Sequence, residues 1–289
     1  MYLKLMIGLA LLVLCMCIEI WRELHSFRVV TYKITSKKLK GIKEARKIIF
    51  LSDLHNHMYG DKNRKLIQKI DEIDPDLILV GGDMLVGKKN SYYGPALEFV
   101  KAIAEKFPVY YASGNHEQRM REIPENYRYS YPEYKKELAA CGVCFLENAS
   151  MEFLFDECPV NITGLEIPVK CYRHFYKEEL SAQEITERIG MPRKDTYQIL
   201  LAHNPGYMKE YLRWGADLVL SGHLHGGIVR IPGIAGVISP TFDIFPKYSG
   251  DHYKEGDTDI VVSKGLGVHT ICIRLFNPAE VVVLRLDEE

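Results

Sequence analysis

Lys47-Ile48-Ile49-Phe50-Leu51-Ser52-Asp53-Leu54-His55 starts as an apolar run and ends in an acid and an imidazole. A short continuous apolar run bounded by polar residues reads as a strand buried on both faces. The same construction recurs down the chain. Asp76–Val80 is followed by Gly81-Gly82-Asp83, and Val109–Ala112 by Ser113-Gly114-Asn115-His116-Glu117. Tyr197–Ala202 is followed by His203-Asn204, and Asp217–Leu220 by Ser221-Gly222-His223-Leu224-His225-Gly226-Gly227. Five expected strands thus deliver Asp, Asn or His at the same end.

Between these strands the spacing of apolar residues changes to that of amphipathic helices. Helices are expected at Asn63–Ile73, Pro95–Lys106, Tyr134–Ala140, Phe175–Ile189 and Gly206–Trp214. Further strands are expected near Val143–Leu146, Met151–Phe155 and Val160–Gly164, with a strand-rich end at Ile260–Ser263, Thr270–Leu275 and Val281–Leu286. The alternation predicts an α/β fold built in layers. No internal repeat or long linker interrupts it, so residues 46–289 read as one domain. The Tyr-rich stretch with Tyr127, Tyr129, Tyr131 and Tyr134 reads as a surface loop and helix start, or a substrate-facing lid.

In α/β sheets, ligands bind at the carboxyl ends of strands. Taken singly, an Asp after a strand is usually a helix N-cap, and a Gly-Asp pair a turn. Five such ends in order, with glycines beside them, are poorly explained that way. Five of the ten histidines (His55, His116, His203, His223, His225) fall in these segments. Neutral imidazoles with carboxylate and amide oxygens suit borderline divalent metals such as Mn, Fe or Zn. The absence of Cys from the set argues against a closed structural zinc site. The ligands outnumber one ion's needs, so two metals are expected, bridged by a carboxylate such as Asp83 and able to clamp a phosphoryl group.

The order D-x-H, G-D, G-N-H-E, H, G-H-x-H in these segments resembles the signature of the calcineurin-like metallophosphoesterase superfamily. The resemblance extends to Gly226-Gly227-Ile228-Val229-Arg230-Ile231-Pro232, Lys264-Gly265-Leu266-Gly267 and Ile273-Arg274, segments similar to the membrane-anchored branch with UDP-diacylglucosamine pyrophosphatase-like and phosphodiesterase-like members. It implies a four-layer α-β-β-α sandwich and a binuclear, Mn-favouring hydrolase of phosphodiesters or pyrophosphates. Carried over position by position, Asp53, His55 and His225 would hold one metal, Asn115, His203 and His223 the other, and Asp83 would bridge them. His116 would stabilise phosphoryl oxygens or protonate the leaving group. Arg230 and Arg274 are weaker candidates for phosphate contact. Lys264 stands where this branch usually has Arg, and Cys272 where it usually has Pro. His57 is an additional histidine that an extended loop would turn toward the same site.

The remaining sequence sets the context. Leu3–Trp21 forms a 19-residue span with Lys4 and Glu19 near its ends, reaching roughly 28 Å as a helix, close to a bilayer's hydrocarbon thickness. The uncharged Leu5–Ile18 core alone is the size of a signal-peptide h-region, but no small-residue cleavage site follows. An uncleaved anchor (residues 1–21) is therefore expected, followed by a basic connector or edge strand (22–45). Arg22, Arg28, Lys33, Lys37, Lys38 and Lys40 follow the span, which by the positive-inside rule puts the domain in the cytoplasm. Five cysteines beyond the span form no even framework and suit a reducing compartment; the lone Cys141-x-x-Cys144 reads as incidental. In all, 37 Lys+Arg against 38 Asp+Glu give a net charge of −1, so no global basic field favours nucleic acid. The expected partners are a bilayer and a phosphorylated small-molecule or lipid-linked substrate. A phosphodiesterase for soluble, for example cyclic, nucleotides is the competing expectation. A catalytically silent scaffold of the same fold fits less well, because every motif position is filled.

Overall fold

The computed structural model of the chain describes residues 1–173, 178–231, 235–239, 244–268 and 271–289. The chain opens with α1 (Tyr2–Leu24) and β1 (Phe27–Ser36), then runs β2 (Arg46–Leu51), α2 (Arg64–Ile73), β3 (Leu77–Val80), α3 (Gly94–Ala104), β4 (Val109–Tyr111), α4 (Asn115–Glu122), α5 (Tyr131–Ala140) and β5 (Cys144–Phe145). The second half runs β6 (Ala149–Phe155), β7 (Cys158–Leu165), α6 (Ala182–Ile189), β8 (Tyr197–Ala202), α7 (Met208–Trp214), β9 (Leu218–Ser221), β10 (Val229–Ile231), β11 (Ala235–Ile238), β12 (Asp251–Glu255), β13 (Thr258–Val262) and β14 (Ala279–Glu288).

Two six-stranded sheets form, in the orders β1-β14-β2-β3-β4-β5 and β12-β13-β9-β8-β7-β6, with β10-β11 as a separate hairpin. The period of two along each strand decides the layering. Ile48 and Phe50 of β2 join Leu77, Leu79, Val282 and Leu284 in a core shared with Ile162, Ile199, Leu201 and Leu220 of the second sheet. The alternate residues Ile49 and Leu51 face the other way, against Leu66 and Ile70 of α2 and Phe99 and Ile103 of α3. On the far side, Leu200, Val219 and Ile260 pack on Ile185 of α6 and Tyr211 and Trp214 of α7. The result is the expected four-layer α-β-β-α sandwich.

Several element expectations are corrected. The polar segment Asn115–Glu122 is a helix, α4, at whose start the Glu117 carboxylate accepts from the Gly114 amide at 3.1 Å. The Phe175–Ile189 helix is shorter, Ala182–Ile189, capped by Ser181 and Glu184; His174–Lys177 lie outside the described residues. Among the described residues, the Thr270–Leu275 strand reduces to one bridge, Val229 with Leu275; Thr270 and Pro232 lie outside the described residues. The connector contains an edge strand: β1 pairs parallel to β14, Phe27 opposite Ala279 through Ser36 opposite Glu288.

The Tyr-rich stretch is the expected surface loop and helix start, but its tyrosines turn inward rather than toward a substrate. Helix α5 begins at Tyr131, and Tyr131 and Tyr134 are buried. The Tyr134 hydroxyl lies 3.3 Å from that of Tyr111, which donates to Glu117 at 2.8 Å. The tyrosines therefore support α4 from behind.

Candidate metal centre

The carboxyl ends of β2, β3, β4, β8 and β9 converge where the two sheets meet, each delivering one motif. The ligand atoms of Asp53, His55 and His225 lie within 4.8 Å of one another, as do those of Asp83, His203 and His223, and those of His55, Asp83 and His116. All but the half-buried His223 are buried. His55 and His225 bring their Nε2 atoms to 3.1 Å. Asp53 Oδ1 is 3.3 Å from His225 Nε2, and Asp83 Oδ2 is 3.2 Å from His203 Nε2 and 3.9 Å from His55 Nε2. Asp83 thus touches both groups.

The turns that aim these side chains are strained. Asp53, His55, Asp83, His223 and His225 have φ of 54°, 49°, 55°, 69° and 52°, a left-handed conformation disfavoured for non-glycine residues and concentrated at functional sites. Hydrogen bonds between the loops hold them there. Asp53 N donates to Gly82 O at 3.0 Å, and His55 N to Asp83 O at 3.1 Å. His223 N donates to the Asp53 carboxylate, and His116 N to Asp83 Oδ1 at 2.8 Å. Gly82 allows this crossing, because a Cβ there would overlap the backbone of Gly114.

The second nitrogen of each imidazole separates two roles. His203 Nδ1 lies 2.7 Å from Gly81 O, and His225 Nδ1 lies 3.0 Å from Gly267 O. A carbonyl only accepts, so these Nδ1 atoms carry a proton, and in its neutral form each ring presents an Nε2 lone pair inward. His116 is the reverse. Gly87 N–H donates to its Nδ1 at 2.8 Å, so in the neutral ring Nε2 carries the proton, 3.8 Å from Asp83 Oδ2. That atom offers a proton rather than a lone pair.

Burial and neighbouring charge set the protonation. Burial and the nearby His203 hold His223 well below the usual histidine range, and burial with Arg274 pulls His225 down to about 3. Burial opposes the charge on His203, but the Asp83 and Asp53 carboxylates outweigh it and raise His203 to about 10. Burial and the adjacent Asp83 carboxylate raise Glu117 to about 7. Two anionic aspartates, two imidazoles held neutral and one proton shared by His203 form a donor set that a cation would complete. Asn115 Oδ1 is buried without a hydrogen-bond partner among the described residues, as an amide ligand awaiting a metal would be. The residues present fit a pair of divalent ions.

Other candidates take structural positions. Arg274 is buried and donates to the carbonyls of Lys264, Gly265, Gly267 and Asn277. Arg230 donates to Gly226 O and pairs with Asp251 at 2.5 Å. Both guanidiniums are occupied holding loops, as is Lys264, which pairs with Glu280 and Asp251. His57 belongs to none of the clusters and packs edge-on against Tyr59. Two organising residues had no assigned role in the sequence. The Glu117 carboxylate accepts from the amides of Asp83, Met84 and Gly114. Asn277 donates to His225 O and Gly227 O. Glu117 lies inside the G-N-H-E motif, but only the fold reveals what it holds.

Comparison with known proteins agrees. Residues 46–227 match the calcineurin-like phosphoesterase family. The metallophosphoesterase YkuE of Bacillus subtilis is 26% identical over 272 residues, 91% of this chain and 87% of its own length. The phosphodiesterase YaeI of Escherichia coli is 26% identical over 275 residues, 92% of this chain and 88% of its own. A metallophosphoesterase of Helicobacter pylori is 26% identical over 88% of this chain, which spans 63% of that relative's length. Among solved structures, TT1561 of Thermus thermophilus aligns over 77% of this chain and 90% of its own, with 15% identity and a TM-score of 0.47. With the family match covering most of its α/β body, the chain belongs to the calcineurin-like phosphoesterase family and is a metal-dependent phosphoester hydrolase.

Proposed function

We propose that the chain is a membrane-anchored binuclear phosphohydrolase that cleaves a phosphodiester or pyrophosphate bond, with a lipid-linked substrate. The observation that carries the chemistry is the pair of acid–imidazole clusters joined through Asp83. Asp53, His55 and His225 would hold one ion, Asn115, His203 and His223 the other, and Asp83 would bridge them. Mn is the favoured metal. When bound, the ions would polarise the phosphoryl oxygens and supply a nucleophilic hydroxide at neutral pH. His116 supplies a proton from Nε2 to the leaving oxygen, held in that tautomer by Gly87 N–H. Glu117 keeps the Asp83 and Gly114 loops in register during turnover.

Residues 1–21 act as the anchor, 22–45 as a basic connector that includes β1, and 46–289 as the catalytic domain on the cytoplasmic side. Helix α1 is long and apolar enough to cross a membrane and is exposed along that stretch. Its last turn belongs to the domain: Glu23 is buried and accepts from Asn277 N at 2.8 Å. That attachment favours a retained anchor over a cleaved signal.

A direct assay compares a UDP-linked diacyl lipid, a cyclic nucleotide and a chromogenic phosphodiester with Mn²⁺. Turnover of the lipid in preference to the cyclic nucleotide supports the lipid-linked reading. The opposite order supports the phosphodiesterase acting on soluble nucleotides.

A further inference from the structure

Helix α1 does not end in open solvent. Glu23 is tied to Asn277, and the His57 ring faces the Leu24 backbone. Beside both contacts stand exposed apolar side chains. Met58 follows His57, and Phe276, 49% exposed, precedes Asn277. The Phe276 segment is laced to the β10-β11 hairpin: Arg230 N donates to Leu275 O, and Leu275 N to Ile228 O. The hairpin in turn carries Ile244 and Phe245, since Phe245 N donates to Val237 O and Ile244 bridges Ile238. Ile244 is 73% exposed and Phe245 55%. Ile231 and Ile273 add to the same loop array. Large apolar side chains gathered on one exposed array, rather than scattered singly, mark an interaction surface.

We infer that this rim lies on the lipid bilayer beside α1, with Phe245 and Phe276 inserted at headgroup depth. The inference rests on reading α1 as a membrane anchor. What selects lipid as the occupant is continuity. The rim is hydrogen-bonded to the polar end of a helix suited to a bilayer, so an inserted α1 would bring the rim to the membrane surface. Trp21, exposed at the same end of α1, suits that interface. The arrangement has a consequence for the chemistry. Asn277 binds Glu23 of the helix and the carbonyls of His225 and Gly227, so the lipid-contacting array is also the one that seats a proposed metal ligand.

The test places p-benzoylphenylalanine in the full chain, reconstituted into phosphatidylethanolamine–phosphatidylglycerol vesicles, at Phe245, Phe276, Leu12 or Met191. Phe245 and Phe276 are replaced by another aromatic residue, and chromogenic phosphodiester turnover checks that each variant folds. Leu12 lies mid-helix and reports insertion; Met191, 73% exposed beyond α6, is the control. After irradiation, lipid adducts are expected at Leu12, Phe245 and Phe276, at least tenfold above Met191. Adducts at Leu12 alone would overturn the docking surface while leaving the anchor. Chain-to-chain products at Phe245 and Phe276 would overturn it in favour of a second copy. Absence of adducts at Leu12 would overturn the anchor and the docking surface together.

Discussion

At the residue scale, one hydrogen bond distinguishes His116 from its neighbours. Gly87 N–H occupies the His116 Nδ1 lone pair, whereas carbonyls fix the proposed ligands His203 and His225 in the opposite tautomer. His116→Asn should therefore retain two bound Mn²⁺ by elemental analysis yet lose about 10²–10⁴-fold in kcat. Loss of metal would instead make His116 a ligand. His203 sets a second expectation. Its raised pKa, to about 10, means the metal-free protein holds a proton there at neutral pH, and a metal must displace it. Mn²⁺ affinity should rise about tenfold per pH unit between pH 6.5 and 8, measured by calorimetry with release of one proton. Burial, helped by the Asp83 carboxylate and opposed by His203, raises Asp53 to about 6, so a second proton must leave below that pH and the slope steepens. A flat profile would contradict the protonation pattern. The residues of the centre were legible in the sequence because each sits directly after an apolar run. Their supports were not. Glu117–Asp83 and Glu23–Asn277–His225 are contacts across 34 to 254 positions, and nothing local in Glu117 or Asn277 announces them.

At the element scale, the site depends on five strand ends crossing closely, and that closeness depends on glycine. Gly82 has φ of +93° and lies against the Gly114 backbone. Gly82→Ala should lower unfolding stability by at least about 2 kcal/mol, from strain and overlap together, read by urea denaturation. An unchanged midpoint would mean that the loops have room to separate. Strands β2, β3, β8 and β9 were readable because both faces are covered, one by the other sheet and one by helices, leaving continuous apolar runs. Helix α4 was hidden because Asn-His-Glu-Gln-Arg-Met-Arg-Glu carries almost no apolar stripe. It is held instead by the Glu117 carboxylate on the Gly114 amide and by the tyrosines behind it. The β10-β11 hairpin and β12 were missed for a related reason: they lie at edges, with mixed exposure and weak alternation.

At the scale of the whole molecule, the start and end of the chain are joined. Strand β1 lies along β14, and α1 reaches the metal-centre loops through Glu23 and Asn277. Glu23→Ala should weaken Mn²⁺ binding several-fold without unfolding the domain, by loosening the Asn277 segment behind His225. Glu23→Gln, which keeps an acceptor for Asn277 N–H, should restore most of it. Equal losses in both variants would show that the carboxylate's charge, not its hydrogen bond, matters. The layered α/β architecture was legible from the alternation of runs; this attachment of the helix to the site was not, because hydropathy reports only that α1 is apolar. The central claim is that two ions held by the Asp83-centred cluster perform the hydrolysis. It is tested most directly by stripping the full-length protein of metal, titrating Mn²⁺ and following chromogenic phosphodiester turnover. Activity should appear in proportion to loading and saturate at two ions per chain, with Asp83→Asn folded but inactive. Full turnover in the stripped protein, or an Asp83→Asn variant as active as the parent, would contradict it.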